Sequence, residues 1–128
     1  MLIGRATNGF INPAGAVFEA VGAVIIPLGG ETFVPTGISL NSDLAAGVFA
    51  GAAVQESIDT GATFTTIGSW WLRAAGSLDV SDGRNIAFSP ANRRQALGST
   101  ALQYRFAAIH PGGAANTYSA NGRGRTEK

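Results

Sequence analysis

The chain has no cysteine. That removes disulfide stapling, thiolate metal sites and cysteine nucleophiles from consideration. It also has no run of 18 or more apolar residues, the length a membrane-spanning helix needs, and Arg5, Asn8 and Asn12 interrupt any apolar stretch of signal-peptide length at the start. Neither a membrane partner nor a secretory leader is expected, and synthesis in a cytoplasm without an export signal follows. Charge is scarce too: 13% of 128 residues are charged and the net charge is +1, which provides no long-range field to gather nucleic acid. There is one histidine, His110, before Pro111 at a strand end, and nothing in the sequence names the nucleophile and orienting acid that a catalytic histidine needs.

What is present is a 45% hydrophobic composition with 18 glycines. A chain of this length makes one domain with its own core, and its weakly charged surface suits a domain partly covered by partners. Positive charge comes from eight Arg and a single Lys, a bias compatible either with planar pairing at interfaces or with base composition alone.

The organising stretch runs from Val48 to Leu72. Val48, Ala50, Ala52 and Val54 share one face at a spacing of two, with Gln55, Ser57 and Asp59 on the other, which is the alternation of a half-buried strand. Asp59-Thr60-Gly61 predicts a three-residue hairpin loop, and Ala62 to Ile67 returns as a β-branched strand. A competing pattern makes Asp43 to Gln55 a helix capped by Ser42, with Leu44, Val48 and Ala52 on one side. Gly47 and Gly51 would each cost that helix about 1 kcal/mol.

The hairpin ends in the paired tryptophans Trp70 and Trp71. Adjacent strand residues point to opposite faces, so a sheet with one buried side cannot take both. Either a second layer or a bend at Gly68 covers the other indole, or it lies in a contact with another chain or in a flat sugar-binding surface.

In chain order, Asn8-Gly9 between Leu2-Ile3 and Phe10-Ile11 predicts a small hairpin or an extended arm. Val17 to Ile26 reads as one long covered strand stopped by Pro27. Thr32-Phe33-Val34 and Ile38-Ser39-Leu40 read as two short strands, with Pro35 placing them at an edge. Leu78-Asp79-Val80 and Ile86-Ala87-Phe88 flank Asp82-Gly83 as a hairpin. Ser89 as cap, Pro90 at the first position and Gly98 past the end predict a short helix over about Pro90 to Leu97. Ala101 to His110 forms the last strand, with Leu102, Tyr104, Phe106 and Ala108 on one face and Gln103, Arg105 and Ala107 on the other.

From Ala114 to Lys128 little is available to bury except Tyr118, which predicts a flexible tail. Its Gly122-Arg123-Gly124-Arg125 is one short copy of an arginine-glycine pattern, too short to imply nucleic acid. The expected fold is therefore mainly β: a compact β-sandwich or small barrel over 16–113, one short helix, an arm or hairpin over 1–15 and a tail over 114–128.

Chemistry-bearing clusters are few. Asp79, Asp82 and Asn85 surround a turn but lack the spacing of a Ca²⁺ loop, and turn chemistry accounts for them. Glu56 and Asp59 suggest a carboxylate pair for glycoside hydrolysis, against a plainer reading as a solvent-facing Glu and a loop Asp. Glycines are scattered rather than grouped before a helix, so no phosphate loop is present. The expectation is a non-enzymatic protein with no cofactor and no metal.

The lead-in Met1 to Gly15, the Gly51-Ala52-Ala53-Val54 and Asp59-Thr60-Gly61 hairpin, the short helix after Ser89 and the polar tail together resemble the plan of small virion proteins of tailed bacteriophages, particularly capsid decoration or cement proteins. The resemblance implies a virion location, a homo-oligomer, often a trimer, and binding to the major capsid protein or another virion protein. It also implies that the lead-in lies on the capsid and that Trp70 or Trp71 lies in a subunit contact. Phe10, Ile11 and Tyr118 are the further interface candidates. A carbohydrate-binding β-sandwich of a tail fibre or adhesin is the alternative, with a tryptophan exposed beside Gln103 or Arg105.

Overall fold

A computed structural model describes residues 10–12, 19–42, 50–72, 76–81, 93–109 and 118–128. Among these residues eight strands follow one another: β1 (Phe10–Asn12), β2 (Glu19–Val21), β3 (Thr32–Ser42), β4 (Ala50–Ser57), β5 (Thr65–Leu72), β6 (Gly76–Ser81), β7 (Gln103–Ile109) and β8 (Tyr118–Glu127). They form two antiparallel four-stranded sheets, in the orders β1-β8-β3-β6 and β2-β7-β4-β5. Two facing sheets make a sandwich rather than a barrel, and this interleaved order is that of an eight-stranded jelly roll. Across the core β3 faces β4, β7 faces β8 and β5 faces β6.

Among the described strands only β4 and β5 are neighbours both in sequence and in a sheet. The predicted hairpin is thus the single local pairing among them, and every other pairing described closes a long loop. Ala50 to Gln55 is strand, which removes the helix alternative there; residues 43–49 lie outside the description. The expected three-residue loop is instead residues 58–64, because the Asp59 and Ser57 side chains hold a wider turn.

The core packs Phe33, Ile38, Leu40, Ala52, Val54, Tyr104, Phe106 and Ala108. Phe33 stacks on Tyr104 with centroids 4.7 Å apart and meets Phe106 edge-on at 6.2 Å. The face assignment read for Leu102 to Ala108 holds: Tyr104, Phe106 and Ala108 are buried in the core with Leu102 against it.

Most of the expected tail is structural. Residues 118–127 are β8, an interior strand between β1 and β3. Its glycines are what permit this: a Cβ on Gly122 would overlap the Phe106 ring, and one on Gly124 would come within 2.6 Å of Phe33. A polar, glycine-rich segment therefore contributes a backbone floor for aromatic rings supplied by other strands. Of the lead-in, Phe10–Asn12 is β1 and pairs with Ala120 to Tyr118 of β8. The Asn8-Gly9 turn lies outside the described residues.

The predicted helix is absent over Arg93 to Leu97; Ser89 to Asn92 are outside the description. Here tertiary bonding overrules local caps. Gln95 is 1% exposed; its amide donates to the Glu31 carbonyl at 2.8 Å, and its carbonyl accepts from Gly30 N at 2.8 Å. Its side chain reaches the other way, donating to Leu102 O at 3.0 Å and accepting from Leu102 N at 3.2 Å. Such a clamp needs an extended chain. Gly98, at φ 73°, still makes a turn, with Ser99 N bonding Ala96 O.

Two further expectations change. Thr32 to Ser42 is one strand, not two short edge strands: β8 pairs along it, and Pro35 falls where β6 does not reach and the register slips before Gly37. Of the long strand expected over Val17 to Ile26, residues 19–26 give β2 and a separate bridge of Ile25 to Tyr104, and Val17 and Phe18 lie outside the described residues. Leu78 to Val80 lies in β6, which pairs with β3; the other half of its expected hairpin, Ile86 to Phe88, lies outside the described residues.

Candidate functional site

Two regions of the surface carry side chains that folding alone does not account for. The first is the outer face of the β2-β7-β4-β5 sheet. Register places Val21, Ala107, Ala53 and Ser69 in one row across all four strands. Ala53 and Ala107 are fully buried, though neither belongs to the core cluster. The next row pairs Gly51 with Trp71, whose ring lies against the Gly51 backbone; a Cβ there would come within 2.6 Å of Cε3. On the other side a polar row begins: Arg105 Nε donates to Gln55 Oε1 at 2.7 Å, Gln55 Nε2 donates to Thr66 Oγ1 at 3.3 Å, and the Arg105 guanidinium lies 4.0 Å from the Phe64 ring centroid.

The tryptophan argument resolves here. Trp70 pairs with Ala52 and packs against the core, while Trp71 faces outward and is 36% exposed. At the opposite edge of this sheet Val21, Val24 and Ile26 are 46%, 47% and 38% exposed. Ile25 exchanges both backbone bonds with Tyr104 and packs against the core, so its neighbours Val24 and Ile26 turn outward. Leu28 and Leu97 continue the apolar exposure, and Leu97 lies against Gly29.

The other interface candidates are elsewhere. Phe10 and Ile11 are on β1, the edge of the other sheet, and Asn12 pairs with Tyr118. Because β5 faces β6, at the far end of that sheet from β1, the tryptophans lie at the opposite side of the sandwich from Phe10, Ile11 and the β8 residue Tyr118. His110 lies outside the described residues.

The second region is a half-open cleft of about 370 Å³ at the root of the β4–β5 hairpin, lined by Glu56, Ile58, Thr63, Thr65, Thr66, Ile67 and Arg93. Glu56 is not the solvent-facing residue the alternation suggested. It is 6% exposed, accepts the Tyr104 hydroxyl on Oε2 at 2.9 Å and pairs through Oε1 with Arg93 Nε at 3.2 Å. Burial, and then the hydrogen bond to Glu56, push the Tyr104 hydroxyl above the usual phenol range.

Asp59 belongs to the loop beyond it. Its carboxylate accepts Thr63 Oγ1 at 2.5 Å, Ser57 Oγ at 2.7 Å and Thr63 N at 2.9 Å. Those bonds, the Thr63 hydroxyl foremost, lower its pKa to about 2. Glu56 and Asp59 are thus held by separate partners, one in the interior and one in an exposed turn. Arg93 was the member that sequence reasoning missed. It was assigned to a helix, and its link to Glu56 exists only once residues 93–102 are clamped between β3 and β7.

Among the described residues there is no group of three or more His, Cys, Asp or Glu that could hold a metal ion. No helix among them is long and apolar enough to cross a membrane.

No protein-family model matches the chain, and no curated protein matches it by sequence. Among solved structures it is similar to a mitogen derived from Yersinia pseudotuberculosis (10% identity, TM-score 0.41, 95% of this chain and 86% of that one). It is similar also to a chain of the cyanophage Pam1 capsid asymmetric unit (14% identity, TM-score 0.41, 95% and 85%) and to a chain of infectious bursal disease virus Gx strain (14% identity, TM-score 0.33, 98% and 30%).

Proposed function

We propose that the chain is a structural virion protein, a jelly-roll subunit that trimerises and docks on an assembled phage capsid, stabilising contacts between its major capsid subunits and catalysing no reaction. The observation that carries this reading is exposed apolar surface at both edges of the outer face of the β2-β7-β4-β5 sheet: a tryptophan standing over a glycine at one edge, and Val21, Val24 and Ile26 at the other. Few charges and an aromatic anchor are the composition of an interface centre. Viral coat subunits and lectins share the jelly roll, and this part of the argument is analogy from fold. The test is co-sedimentation with empty heads assembled from the major capsid protein of the same genome. Saturable binding at a fixed ratio is expected. Heads that pellet without the chain, or a genome that encodes no capsid protein, overturn it.

The cleft at the hairpin root favours a second reading, a carbohydrate-binding β-sandwich of a tail fibre or adhesin. It is a concave site with convergent polar groups, in an architecture that lectins also use.

A further inference from the structure

We infer that the cleft formed by Glu56, Arg93, Thr63, Thr65, Thr66, Ile58 and Ile67 binds one hexose unit of an uncharged glycan. The inference deepens the carbohydrate reading and is independent of capsid docking, because Trp71 does not line the cleft.

The charge balance selects the ligand class. Glu56 and Arg93 share one wall, 3.2 Å apart, and together are neutral. An anion would meet Glu56, with Asp59 in the adjoining loop, against a single guanidinium. A cation would meet that guanidinium. An uncharged ligand that donates and accepts at neighbouring atoms satisfies both, and adjacent sugar hydroxyls do this.

The hydrogen-bond inventory is equally specific. Arg93 reaches Glu56 through Nε, so its two terminal amino groups keep their N–H donors. Each Glu56 oxygen has one bond assigned, from Tyr104 or Arg93, and each has capacity for another. Thr63 Oγ1 gives its proton to Asp59 and is left as an acceptor, while Thr66 Oγ1 accepts from Gln55 and is left as a donor. Tyr104 and burial fix the Glu56 carboxylate before any ligand arrives.

Apolar surface completes the site. Ile67 packs partly against the core, and Ile58, which also lines the cleft, stands 60% exposed. Both offer surface to the C–H face of a sugar ring. A cleft of about 370 Å³ lies at the small end of ligand sites, and its open side leaves room for the rest of a glycan.

The experiment is a titration of the intact, isotope-labelled chain with glucose, galactose, mannose, N-acetylglucosamine and glucuronate, read by amide and side-chain N–H chemical shifts. At least one neutral sugar is expected to shift the amides of Thr63, Thr65, Thr66 and Ile67 and the Arg93 Nε–H, saturating at about 1–50 mM, with glucuronate about tenfold weaker. Arg93→Lys keeps the charge beside Glu56 and loses the fork; it is expected to weaken binding about tenfold in a protein whose spectrum stays dispersed. Glucuronate binding as tightly as the neutral sugars, or Arg93→Lys leaving affinity unchanged, overturns the inference. Shifts confined to the Trp71 indole overturn it too while leaving the carbohydrate reading standing. A panel that moves no resonance removes both.

Discussion

Both inside the sandwich and on its outer face an aromatic ring lies against a glycine. Inside the sandwich Phe106 covers Gly122 and Phe33 covers Gly124; on the outer face Trp71 covers Gly51. The contact is the same, but its surroundings differ. Phe33 and Phe106 are 0% and 3% exposed and join the stacked core with Tyr104, so their glycines are what let β8 close the sheet. Trp71 remains 36% exposed with solvent on its far side. Folding requires the inner pair; the outer ring is the one that the proposed docking surface uses.

The sharpest way to break the comparison is Gly122→Ala. The added methyl overlaps the Phe106 ring between two packed sheets, and the expected loss is about 3 kcal/mol, read as a lower midpoint in urea. Tyr104→Phe removes the hydroxyl that Glu56 accepts inside the same core and should cost about 2 kcal/mol by the same measurement. Gly51→Ala tests the outer copy: Trp71 has open space into which to swing, so a change of about 1 kcal/mol or less is expected. An effect as large as that of Gly122→Ala would mean that the outer ring is structural as well.

The smallest effect is at the exposed hairpin turn. The Asp59 carboxyl is lowered to about 2 from an ordinary 3.8, so its stabilising contribution is complete above about pH 4 and is lost as pH falls toward 2. Asp59→Asn should flatten stability against pH in that window, removing at neutral pH the contribution that the natural protein loses only in acid, as thermal melts at a series of pH values will read.

The two rings also mark how far the sequence could be read. Strict alternation made β7 and the β4–β5 pair legible, because period two survives wherever a strand has one core face. The argument that Trp70 and Trp71 must part needed only that geometry, and it placed one in the core and one outside. β8 was illegible because its contribution is backbone: Gly122 and Gly124 have no hydrophobicity to count, and the rings that need them belong to Phe106 and Phe33. Residues 93–97 misled through good local caps that lost to the Gln95 clamp. The Glu56–Arg93 cleft was hidden for the same reason, its two halves meeting only through tertiary contacts.

The most direct test of the central claim is the mass of the purified chain by light scattering on a sizing column over a range of concentrations, for the natural sequence and for Trp71→Ala. The account predicts a particle of three times the 13.0 kDa chain for the first, and dissociation without unfolding for the second. A strict monomer at every concentration, or a trimer indifferent to Trp71→Ala, would contradict it.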